Sequence, residues 1–139
     1  MHCTMAKRFV EVEGKQIPVS NLDKLIWPTP ALTKADLIQY LISIGPVALK
    51  YWRNRPLTLT RYPDGVHNQG FYQKNCPDYA PAWVSRVPVV TDAKTIEYII
   101  CNDLATLVWL GNQGVIEIHP ATYGVSNPAQ PRFAIIDLD

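Results

Sequence analysis

The sequence has almost no charge of either sign in excess. Thirteen Lys and Arg stand against twelve Asp and Glu, for a formal net charge of +1. That balance decides nothing about partners. The strong basic excess with which a nucleic-acid binder often announces itself is missing, so any phosphate binding must come from a few placed side chains. Cysteine is scarce and odd in number. Cys3, Cys76 and Cys101 are far apart and form no C-x-x-C pair, which excludes a disulfide framework and a zinc knuckle. Reduced thiols in a cytosolic protein are the expectation. No apolar run approaches the about 20 residues that span a bilayer. The N-terminal stretch "MHCTMAKRFVEVEGKQ" also lacks the apolar segment of a secretion signal. Repeats, low-complexity tracts and linkers are missing too. What remains is 139 residues, 47% hydrophobic and 18% charged, enough for one core.

Within that chain, "FVEVEGKQIPVS" alternates around Gly14 and predicts a β-hairpin. In "SNLDKLIWPTP", Ser20 or Asn21 is placed to cap a short helical turn that Pro28 ends. "LTKADLIQYLISIG" has the strongest helical pattern. Thr33 can cap it, Asp36 follows three residues on as in a capping box, and Leu37, Tyr40, Leu41 and Ile44 share a face. Pro46 suits the first turn of a second helix, "PVALKYWRN". After Pro56 the period falls to two, predicting strands in "LTLTRYP", "GFYQKN" and "TIEYIICN". Asn102 is placed to cap a helix through "DLATLVWLGNQ", with Gly114 near its end. "VIEIH" and "RFAIIDLD" read as further strands. Two or three helices with five or six strands give an α+β fold, a mixed or antiparallel sheet packed with helices.

Four groups of residues carry chemistry. In a strand, Asp137 and Asp139 project from one face while Ile136 and Leu138 point to the other. Two carboxylates that close repel each other, and a divalent cation removes that cost; oxygen donors suit Mg²⁺ or Mn²⁺. The plain alternative is a strand ending in solvent. Glu117 and His119 repeat the same spacing in "VIEIHP", where the histidine is either packed or active according to its neighbours. Lys24 and Lys34 lie near a helix start whose N–H groups favour an anion, so the pair could hold a phosphate or simply face solvent. Phe71 and Tyr72 point to opposite sides of a strand, so one ring can fill the core while the other, beside Lys74, stacks on a base.

Taken in order, "SNLDKLIWP", "LTKADLIQY", "RPLTLTRYPDG", "GFYQKNCP", "WLGNQGVIEIHP" and "FAIIDLD" resemble the N-terminal half of the polymerase domain of bacterial and archaeal ligase D, in the archaeo-eukaryotic primase superfamily. The resemblance runs from Val19 to Asp139. It implies that Asp137 and Asp139 are the first metal-binding motif, holding Mn²⁺ or Mg²⁺ against an incoming nucleoside triphosphate. It implies that His119 is an active-site histidine, and that Asn21, Lys24 and Lys34 grip the 5′-phosphate of a gapped or broken DNA. Phe71 and Tyr72 would stack against the bent template, where the family more often has two phenylalanines. After "HP" the family often has a tryptophan, whereas Ala121 and Thr122 follow here.

The resemblance also implies an incomplete site. In the family the D-x-D strand lies near the middle of a longer domain, whose remainder supplies a third metal-binding aspartate and a Ser-x-His motif. Residues 1–139 therefore read as the N-terminal part of such a domain, cut after the D-x-D by a shortened or split gene or by trimming. The implied function is DNA repair by non-homologous end joining, through manganese-dependent nucleotide addition to a 3′-hydroxyl. Its partners would be a 5′-phosphorylated DNA end, a nucleoside triphosphate, a second polypeptide carrying the missing half, Ku and a DNA ligase. Its place would be the prokaryotic cytoplasm at the nucleoid, with no membrane. The other reading is a DNA-end binding module without chemistry. A strand "RFAIIDLD" with an open edge would also invite association with another chain.

Overall fold

The computed structural model describes residues 8–139; Cys3 lies outside the described residues. The expected first hairpin forms, with β1 (Arg8–Val12) antiparallel to β2 (Lys15–Val19). Helix α1 (Lys34–Trp52) packs on helix α2 (Leu104–Asn112), and α2 packs on the first hairpin and on one strand of a five-stranded antiparallel sheet. In that sheet β5 (Leu57–Arg61) pairs with β9 (Val115–Pro120) along its length. Its other edge meets β6 (Phe71–Gln73) and then β8 (Thr95–Ile99), which carries β7 (Arg86–Val90) outward. The fold is α+β, as expected. Leu57, Leu59, Ile99, Leu107, Leu110 and Ile17 fill the core. α2 is buried on all sides from Ala105 to Gly111, which suits a helix held between sheet, hairpin and α1.

Several local expectations are corrected. No helical turn forms after Ser20. Asn21 takes a left-handed conformation (φ 53°), and a small hairpin follows, β3 (Leu25–Trp27) against β4 (Leu32–Thr33). Pro46 starts no new helix, because α1 runs through it. Proline removes one N–H from the ladder without stopping a helix whose other residues stay packed. On α1 the buried face is Lys34, Leu37, Ile38, Leu41 and Gly45, while Tyr40 is exposed. Asp103 caps α2 in place of Asn102, its carboxylate accepting from Thr106 N at 2.7 Å, and Asn102 pairs with Asn54 instead. β7 escaped the sequence reading because Pro88 interrupts it, a residue that an edge strand tolerates.

The largest correction is at the C-terminal segment. Residues 132–139 form no strand. The segment turns back after β9, where Arg132 N and Phe133 N both donate to Thr122 O. Phe133 then covers the Arg55 guanidinium at 4.3 Å. A strand needs a ladder partner, and no strand among the described residues pairs with it. Ile135, Ile136 and Leu138 are left facing solvent. No described helix is long and apolar enough to cross a membrane.

Candidate functional site

The loop 20–24 crosses the N-terminus of α1 and brings Lys24 and Lys34 together there. Asn21 O accepts from Lys24 N, then Lys24 O and Leu22 O accept from Lys34 N (2.8 Å) and Ala35 N (3.0 Å). Asp36 N is taken by the Thr33 hydroxyl, and the Asp36 carboxylate accepts from Thr33 N, completing the capping box. The first helical N–H groups are therefore spent. That corrects the expectation that they would favour an anion here: side chains alone are left for the task.

Those side chains converge. Lys34 is buried and donates through Nζ to Ser20 O at 2.8 Å. Asn112 holds Ser20 in place, accepting from Ser20 N at 3.0 Å. Lys24 Nζ donates to Pro63 O (3.0 Å) and to Asp64 Oδ1 (3.2 Å). The turn carrying Pro63 and Asp64 can lie this close to β3 because residue 65 is glycine. Its φ is +97°, and an added Cβ would sit 3.1 Å from the carbonyl oxygens of Leu25 and Ile26. Burial lowers the Lys34 pKa, and the neighbouring cations Lys24 and then Arg61 lower it further.

Arg61 is the functional candidate that the sequence reading missed. It continues the core-facing register of Leu57 and Leu59 on β5. An arginine in that register was the available signal. Its neighbour across the sheet is Phe71, whose ring lies 5.0 Å from the Arg61 Cζ. The two aromatics do point to opposite faces, but neither fills the core: Phe71 is 45% exposed and Tyr72 73%. The short edge strand β6 overlies Arg61 and not apolar side chains, which explains the exposure.

The other face of the sheet carries the histidine. Thr60 pairs with both Tyr72 and Glu117, and Thr58 with His119, so these five side chains share the open face. His119 Nε2 lies 3.1 Å from Glu117 Oε2. The Thr60 hydroxyl and then His119 hold Glu117 below the usual carboxylate range. The hydroxyl lies close to the carboxylate but makes no hydrogen bond of full geometry. Asp137 and Asp139 are both exposed on the unpaired segment, and among the described residues no three His, Cys, Asp or Glu side chains gather as a metal cluster. Thus Lys24, Lys34 and Arg61 come together, with Phe71 over Arg61; His119 and Tyr72 lie across the sheet.

Residues 33–139 match a family model described as LigD, primase-polymerase domain. Over 139 aligned residues the chain is 37% identical to the bifunctional non-homologous end joining protein LigD of Bacillus subtilis, covering 99% of this chain and 22% of that protein. It is 29% identical to the multifunctional non-homologous end joining DNA repair protein LigD of Mycobacterium tuberculosis, over 90% of this chain and 18% of that protein. The fold matches a polymerase domain from Mycobacterium tuberculosis ligase D solved in complex with DNA, with a TM-score of 0.76 and 31% identity. That match covers 81% of this chain and 40% of the solved one. The chain spans less than half the length of each of these relatives.

Proposed function

The chain belongs to the LigD primase-polymerase family, and from that premise we propose that it is the DNA-end-recognising part of a nucleotidyltransferase for non-homologous end joining. The observation that carries this is the cluster of Lys24, Lys34 and Arg61, in which Lys34 and Arg61 have no carboxylate partner among the described residues. Buried or half-buried cations without counter-charge are costly, and a bound anion relieves the cost. A terminal 5′-phosphate at a gap or break has the size and charge for such a pocket. Arg55 offers the contrast. It is equally buried, but its guanidinium donates to Tyr51 O in the last turn of α1 and to Ala121 O, where carbonyls welcome a cation. Lys34 is at the opposite, positive end of the same helix.

Phe71 would stack a template base beside those cations, and Tyr72 would meet the template from the open face of the sheet. Asn21, with its side chain exposed next to Ser20, completes the phosphate-binding loop. His119 lies on the open sheet face, where the 3′-hydroxyl and nucleoside triphosphate would be handled. Asp137 and Asp139 offer oxygen donors of the kind Mn²⁺ or Mg²⁺ prefers, and in a full two-metal site such ions neutralise charge on the transferred phosphoryl group. Two carboxylates on an unpaired segment supply only part of such a shell. That favours the second reading for this chain by itself, a DNA-end binding module; nucleotide addition then needs donors from further protein. Ku, a DNA ligase and a bacterial nucleoid setting belong to the same proposal.

Manganese-dependent primer extension on a gapped duplex tests it, with the chain continued through the rest of the polymerase domain. Extension should be stimulated by a 5′-phosphate on the downstream strand and abolished in Asp137→Ala. Undiminished extension by that variant would remove the metal assignment.

A further inference from the structure

Arg61 joins two features that the proposed function treats separately. Its Nε donates to Gln113 O at 2.8 Å. Nη1 donates to Tyr79 Oη at 3.0 Å and Gln73 Oε1 at 3.2 Å, and Nη2 to Gln113 Oε1 at 3.3 Å. All the acceptors are neutral, so no carboxylate offsets the guanidinium while its plane is fixed from its edges. One face of that plane is then free to stack, and Phe71 lies 5.0 Å from Cζ. Tyr79 Oη also donates to Gln113 Oε1 at 3.1 Å, which ties the brace together. On its other side Arg61 is tied to the Lys34 site through consecutive residues at the end of α2. Gln113 O accepts from Arg61, and Asn112 Oδ1 accepts from Ser20 N, while Ser20 O accepts from Lys34 Nζ.

We propose that Arg61 is a positioning residue that links the cationic pocket to the stacking ring, so that a 5′-phosphate in the pocket and a base on Phe71 favour each other. This rests on the reading of the pocket as a 5′-phosphate site. The physical route is short. An anion beside Lys34 attracts the Arg61 guanidinium and holds it in its braced position, and that position sets the Phe71 ring on the paired strand β6. Coupling of this kind is reciprocal, so stacking must tighten phosphate binding by the factor by which phosphate improves stacking. A lysine at position 61 would keep the charge and lose both the planar brace and the stacked face.

The test uses gapped duplexes with 2-aminopurine in the template strand at the gap, with and without a 5′-phosphate on the downstream strand. With the parent chain, the phosphate should tighten binding and deepen fluorescence quenching. In Arg61→Lys the phosphate-dependent quenching should be lost, and by a larger factor than any loss of preference for phosphorylated DNA. Tyr79→Phe removes one brace at a 63% exposed residue, and should shift quenching in the same direction with a smaller loss. It carries the test if Arg61→Lys fails to fold. Full phosphate-dependent quenching in whichever variant folds would overturn the linkage and leave the phosphate site standing. A loss of binding and quenching in proportion would also overturn it, making Arg61 a plain phosphate contact. A parent chain that ignores the phosphate would overturn the site reading and the linkage together.

Discussion

Lys34 shows how one residue carries opposite demands. It is buried at the start of α1, and its ammonium has one carbonyl partner, Ser20 O, and two cationic neighbours. A cation whose pKa is depressed in the folded state weakens the fold at every pH below that value. The penalty fades as pH rises through the folded pKa towards that of a free lysine. Titration of the Lys34 ε-methylene by NMR should therefore give a pKa below that of an ordinary lysine in the free chain. It should move upward when a 5′-phosphorylated duplex is added, because an anion favours the charged form. No upward movement would mean that the phosphate binds elsewhere. Lys34→Met keeps the stem and removes the charge. It should melt within about 1 kcal/mol of the parent, since loss of the Ser20 bond offsets relief of the uncompensated charge, while phosphate preference disappears.

At the level of elements, α1 and the loop before it position the pocket. Thr33→Ala removes the cap and should cost about 1 kcal/mol in chemical denaturation. The Thr33 backbone N–H and then its hydroxyl hold Asp36 below the usual aspartate range. That contribution is complete above the ordinary aspartate pKa and is lost as pH falls through the lower folded value. Thr33→Ala keeps the backbone donor and removes the hydroxyl, so it should flatten stability across acidic pH only in part. Pro46→Ala restores a donor inside α1 and should stabilise the chain by about 1 kcal/mol or more. The same elements show what was legible in the chain. The capping box, the hairpin at Gly14 and the strands at 57–61 and 115–120 were readable because local chemistry decides them. The β3–β4 hairpin was not, because its partner across the gap is the turn at Gly65, far along the sequence. Arg61 stayed hidden for a similar reason: its partners are Gln73, Tyr79 and Gln113, each on another segment. The strand expected at 132–139 fails because alternation sets which way side chains point but supplies no ladder.

Across the whole molecule, the function proposed above would put recognition and chemistry on opposite faces of one sheet. Lys24, Lys34, Arg61 and Phe71 gather on the helix-bearing side, and Tyr72, Glu117 and His119 on the open side. The exposed Ile135, Ile136 and Leu138 (74%, 82% and 88%) form an apolar run beyond that sheet. Runs of this kind associate, so sedimentation velocity should show concentration-dependent self-association that replacing all three by serine removes. A monomer at every concentration would contradict this. The central claim, that this chain recognises a terminal 5′-phosphate through a few placed cations, has a more direct test. Anisotropy titrations can compare a one-nucleotide gap ending in a 5′-phosphate with the same gap ending in a 5′-hydroxyl, at several salt concentrations. The phosphorylated gap should bind about tenfold tighter or more, as one charge-assisted contact permits, with a steeper loss of affinity as salt rises. Equal affinity for the two gaps at every salt concentration would contradict it.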